Sequence, residues 1–210
     1  NPGAGMYLMQ DRYRLQGELN VPAFLQGWTA VVERHAVLRT GFVWNNEERP
    51  LQAVYRSVPL PIEYLDWSDK DEIDQRAQLE SLLAEELHQG FDLSQPQLIR
   101  FRLIRLGPDC YYFTQSYHHI LIDAWCFSLL MVDFFTIYRA LNEGNEAPQL
   151  RSVRPYSDFI GWLGARDQNE DRAWWRQKLT GFESPTPLMI MKTPEQRIHN
   201  GVEDRSLPLS

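Results

Sequence analysis

The chain has 210 residues and a net charge of −7, with 43 % apolar and 23 % charged residues. That balance suits a packed globular domain and argues against nucleic acid or an anionic membrane surface as the main partner. No run of about 18 apolar residues is present, so no membrane span is expected, and the two cysteines, Cys110 and Cys126, have neither metal-ligand spacing nor the number for a disulfide framework.

This cysteine usage points to a reducing, cytoplasmic setting. The chain opens on Asn1, with no signal-peptide pattern, and closes on the polar stretch KTPEQRIHNGVEDRSLPLS; both ends read as cuts from something longer.

Residues 7–17 alternate partly between apolar and polar and are expected to form a strand. Asn20 is a candidate N-cap and Pro22 suits a first helical turn. Phe24, Trp28, Val31, Val32 and His35 then fall on one helical face. Residues 41–45 and 51–56 read as a hairpin around the turn NNEERP. A second amphipathic helix is expected over 70–89, with Leu79, Leu82, Leu83 and Leu87 on one side and an acidic start, DKDEIDQ, that suits the helix dipole. Residues 98–105 set Arg100 and Arg102 opposite Ile99, Phe101 and Leu103, a strand with one wet face. Residues 110–118 form an aromatic-rich strand. Residues 125–141 are apolar nearly all round and predict a buried helix, with Cys126 in the core. Two surface helices are expected at 155–166 and 169–179, where Trp162, Trp174 and Trp175 read as packing residues. The mixed order gives an α/β or α+β domain.

The chemistry concentrates in residues 115–126, QSYHHILIDAWC. Three readings of this cluster stand side by side. A metal site would use His119 and Asp123 at helical i, i+4 spacing, but neighbouring residues of a strand point to opposite faces, so His118 and His119 do not converge on one ion. A structural reading makes His and Asp a pair that holds a loop, since buried charges need partners. A catalytic reading has the strand deliver His119 to its C-terminal edge as a base, with His118 turned into packing and Asp123 at or near the N-cap of the next helix.

The stretch SYHHILIDAW resembles the HHxxxDG signature of condensation domains in nonribosomal peptide synthetases. RHAVLRTGF (34–42) resembles the RHxxLRTxF motif of that family, and the segment RPYSDFIGWL…AWWRQKLTGFESPTPL (154–188) resembles its PYxDYxxWL…FWxxxLxGxxxPtpL region. The resemblance implies a chloramphenicol acetyltransferase-like lobe, a mixed sheet packed against helices. Residues 1–188 would be the N-terminal lobe of a condensation domain, with 189–210 the start of the crossover towards a C-terminal lobe that carries a DFGWG-like latch. The substrate tunnel of the family runs between the lobes. The two histidines argue against cyclisation domains, which carry aspartates there; the epimerisation domains and other HxxxD acyltransferases remain as relatives.

By this resemblance the reaction joins two carrier-bound substrates. The α-amine of an acceptor aminoacyl thioester attacks the carbonyl of a donor acyl thioester and an amide forms. His119 is the implied catalytic residue, acting by positioning and electrostatic stabilisation or as a proton acceptor. His118, Asp123, Ala124 and Trp125 are motif support, with Ala124 standing where the family has Gly. Ala is neutral there if φ is negative and strained if it is positive. Trp125 resembles members that take an L-configured donor or are of the dual epimerising-condensing type. Arg34 and Arg39 are ion-pair candidates for Asp123. No metal or directly bound cofactor is implied; 4'-phosphopantetheine belongs to the partner carrier proteins, donor and acceptor. An adjacent adenylation domain and the C-terminal lobe are the other implied partners. A non-catalytic lobe that docks carriers is the alternative role, and the chain alone is expected to be inactive.

Overall fold

The computed structural model describes residues 7–44, 50–59 and 62–184. The chain divides into two compact units, Asn1–Ile160 and Gly161–Ser210. The hairpin turn NNEERP and the stretch 189–210 lie largely or wholly outside the described residues.

In the first unit, strand β1 (Leu8–Gln16) is followed by helix α1 (Val21–Arg34), a 3-10 turn (Ala36–Arg39) and the hairpin β2 (Thr40–Val43) and β3 (Leu51–Val54). Then come β4 (Ile62–Asp66), helix α2 (Glu72–Gln89), β5 (Ile99–Gly107), β6 (Cys110–His118) and helix α3 (Ala124–Asn142). Helices α4 (Tyr156–Ala165) and α5 (Asn169–Lys178) close the described chain. Four strands form one sheet in the order β1-β6-β5-β4, and β2 and β3 form a separate ribbon. β1, β6 and β5 are antiparallel neighbours, whereas β4 runs parallel to β5, which α2 makes feasible as the crossover.

The two sheet faces follow from strand alternation. Ile99, Phe101 and Leu103 of β5 and Tyr111, Phe113 and Tyr117 of β6 join Phe24, Trp28, Val31 and Val32 of α1 and Leu130, Phe134 and Ile137 of α3 in the main core. Trp28 stacks between the rings of Phe101, Phe113 and Phe134 at centroid distances of 4.3, 5.4 and 4.6 Å. Gly27 allows α1 and α3 to meet closely, because a Cβ there would stand 3.2 Å from the Phe134 ring. On the opposite face α2 packs Leu79 with Ile104 and Trp67. Asn20 caps α1 by accepting the Ala23 N–H at 3.2 Å, and Asp71 caps α2 by accepting that of Asp74 at 2.9 Å.

Several expectations change here. β4 is an additional strand. The arginine face of β5 is covered rather than wet: the Arg102 guanidinium bonds Glu86 of α2, which is only 3 % exposed, and Arg100 donates to the Gly90 carbonyl at 2.8 Å. α3 is not buried all round. Leu130, Phe134 and Ile137 face the core, while Trp125, Leu129 and Val132 are exposed, as are Leu87 of α2, Cys126, and the rings of Trp162, Trp174 and Trp175. α3 is also long and apolar enough, at mean hydropathy 1.4, to span a membrane by composition. Its core contacts and the bonded Asp133 described below mark it as a packed helix of this unit.

Candidate active site

The polypeptide reaches His119 in a way the local sequence dictates. β6 alternates with Phe113, Gln115 and Tyr117 on the core face, and His119 follows two residues on, where the strand has given way to a turn closed by the Leu121 N–H on the His118 carbonyl at 3.0 Å. Leu121 and Ile122 then drop into the core. Their burial fixes the Ile122 carbonyl against the His119 ring, and Nδ1 of His119 donates to it at 2.9 Å. A carbonyl oxygen only accepts, so the proton of the neutral ring sits on Nδ1 and the lone pair on Nε2. The His119 residue is exposed, and its N–H donates to the carbonyl of Tyr7 at 2.8 Å.

His118 has the opposite arrangement. It is half-buried, its Nδ1 accepts the Ile120 N–H at 3.1 Å, and its ring lies beside that of Tyr7. Its proton is therefore on Nε2. Burial, and then the neighbouring His119, pull its pKa below the ordinary 6.5; protonating Nδ1 would also break the bond to Ile120. The doublet thus contains one neutral packing histidine and one presented ring.

Asp123 is the N-cap of α3, with Oδ1 accepting the Cys126 N–H at 2.8 Å. That bond, with further backbone N–H groups of the first turn, holds its carboxyl below the ordinary 3.8. Ala124 opens the helix. Tyr7 is the one non-glycine residue with positive φ among the described residues, so Ala in the glycine position of the motif carries no left-handed strain. Trp125, 83 % exposed, stands on the first turn.

The arginines are elsewhere. Arg34 Nε donates to Asp133 Oδ2 at 2.7 Å, and His35 Nε2 lies 2.8 Å from the same oxygen. Arg39 donates to the backbone carbonyls of Val32 and Glu33 at 3.2 Å, Arg56 at 3.0 Å, and Tyr55. Asp133 is ten residues beyond Asp123 on α3, about 15 Å at 1.5 Å per residue. The RHxxLRT segment therefore clamps the middle of α3, not the His119 turn, and neither arginine takes the expected partner. The signal for Asp133 was in the sequence, as a lone carboxylate inside an apolar helix that needs a counter-charge. Ile122 and Tyr7 act through backbone carbonyls, which no side-chain pattern announces. Neither of two cavities, about 580 Å³ beside Trp175 and Leu179 and about 450 Å³ beside Phe91 and Arg100, includes His119.

Comparison with known proteins adds to this geometry. A family model described as the condensation domain matches residues 1–206. The chain is 36 % identical over 199 residues to one component of the linear gramicidin synthase of Brevibacillus parabrevis, covering 94 % of this chain and 2 % of that one. It is 39 % identical over 189 residues to another component of the same synthase, covering 90 % and 4 %. It is 30 % identical over 210 residues to surfactin synthase subunit 3 of Bacillus subtilis (strain 168), covering 100 % and 16 %. The chain thus spans a small part of these relatives. Among solved structures, the starter condensation domain of rhizomide synthetase superposes with a TM-score of 0.74 at 20 % identity, over 86 % of this chain and 44 % of that one. The first condensation domain of the calcium-dependent antibiotic synthetase, solved with a substrate analogue, gives 0.69 at 20 % identity, over 85 % and 43 %. These likenesses establish the fold: a mixed sheet with helices, of the chloramphenicol acetyltransferase-like type.

Proposed function

Because the chain belongs to the condensation-domain family, we propose that it presents the histidine side of a site that forms an amide bond between a carrier-bound donor acyl thioester and the α-amine of a carrier-bound acceptor. The observation that carries this reading is His119. The residue is exposed, and its Nδ1 proton is committed to the Ile122 carbonyl at 2.9 Å. The lone pair on Nε2 is therefore available to a substrate N–H.

The reaction asks for little acid–base power. An α-amine with pKa about 7.7–8.0 is partly uncharged at neutral pH, and a thioester is a reactive acyl donor. The amine nitrogen attacks the thioester carbonyl, the tetrahedral centre collapses, the carrier thiolate leaves, and one ammonium proton is released. Holding amine and carbonyl together accounts for much of the acceleration. His119 orients the amine through Nε2 and accepts its proton as the C–N bond forms. Phosphopantetheine arrives as the arm of each substrate; the exposed side chain of Ile120, next to His119 in the turn, suits its alkyl portion. Residues 1–188 are read as one lobe, and the opposing wall of the tunnel as the contribution of a second lobe. Carrier proteins and an adenylation domain are the partners of this reading, in a cytoplasmic setting.

The test is His119→Ala in the synthase that carries this chain, assayed with loaded donor and acceptor carriers. Amide formation should fall by about 10²–10⁴-fold, the usual contribution of a positioned base. Unchanged turnover would leave the chain with a binding role alone.

A further inference from the structure

Among the described residues, the β1–β6 ladder stops at the residue the proposed chemistry needs. Leu8 pairs with His118 at its end, and one step further the Tyr7 carbonyl accepts the His119 N–H at 2.8 Å. Tyr7 has φ of +65°, a left-handed conformation that a residue with a Cβ and a bulky ring disfavours. Burial does not offset this, since Tyr7 is 65 % exposed; its ring leans on that of His118, 6.2 Å away between centroids and tilted by 49°. Backbone held in such a region persists where its surroundings over-determine it, and such residues cluster at functional sites.

Resting on the reading of His119 above, we propose that Tyr7 is a positioning residue for that imidazole. Its left-handed backbone sets the carbonyl that engages the His119 amide. His119 is thus held from two directions, its main chain by the Tyr7 carbonyl and its ring by the Ile122 carbonyl.

Two substitutions separate backbone from ring. Tyr7→Gly removes the ring and favours positive φ; Tyr7→Val opposes positive φ. Long-range proton–nitrogen NMR of the chain should report the Nδ1–H tautomer of His119 for the unaltered sequence and for Tyr7→Gly, and a tautomer mixture for Tyr7→Val. In the carrying synthase, Tyr7→Val should lower kcat by about 10- to 100-fold, with KM for the loaded carriers within about threefold, while Tyr7→Gly stays within about threefold in both. Tyr7→Val with unchanged tautomer and kcat would overturn the proposal, as would Tyr7→Gly losing as much as Tyr7→Val. A tautomer shift in Tyr7→Val without loss of turnover supports the positioning role and counts instead against His119 as the catalytic residue.

Discussion

Asp123 titrates as a cap rather than as a member of an ion pair. Its folded pKa lies below the ordinary 3.8 because the carboxylate accepts backbone N–H bonds at the start of α3. The sign follows from linkage: the contribution is present above the unfolded value and is lost as pH falls through the lower folded one. Acidification below 3.8 should therefore lower the Tm of the chain more than that of Asp123→Asn, which caps without titrating. Equal losses, followed by circular dichroism, would show that the cap does not contribute. At this scale the motif was legible as residue types: strand alternation separated His118 from His119, and the helix start fixed the cap. The ring's tautomer was not, because it depends on where the Ile122 carbonyl lands, and that is decided by burial of Leu121 and Ile122 in a core formed by other elements.

Between elements, the join of α2 to the sheet is a buried charge network. Glu86 receives Arg102, the Ser116 hydroxyl at 2.6 Å and Gln10 Nε2 at 3.4 Å, and Arg102 also reaches Glu63 at 2.8 Å. Removing one partner of a buried pair leaves the other charge uncompensated. Arg102→Leu should cost about 3–5 kcal/mol in urea unfolding at constant m, and Ser116→Ala about 1–3 kcal/mol, since a hydroxyl bond to a charged group is lost. A cost below about 1 kcal/mol for Arg102→Leu would mean that Glu86 finds other solvation. Strand alternation assigned the two faces of β5 correctly, and the amphipathic period assigned α1 its buried one. What covers the arginine face was not visible, because alternation marks which residues share a side and not which helix lies over it. β4 escaped notice for a related reason: its five residues, IEYLD, hold too few alternations to stand out, and it is its parallel pairing with β5 that defines it.

For the whole molecule, the proposal makes activity a property of more sequence than this chain contains. The solved domains it superposes on extend well beyond it, with 43–44 % of their length covered. If a second lobe supplies the opposing wall, the 210-residue chain alone should yield no amide product from loaded carriers in a mass-spectrometric assay, whereas the carrying synthase should; product from the chain alone would put both walls within it. The ladder between β1 and β6 has a temporal consequence. It joins Leu8 to His118 and Gln16 to Cys110, positions so far apart that their pairing must overcome a long loop closure. During synthesis at roughly 5–20 residues per second, the first strand waits for some seconds with its neighbour still unmade. The amide of His119 is among the last groups of β6 and its turn to leave the ribosome, so the imidazole can acquire its final pose only when the earliest and latest parts of the first unit's sheet have met.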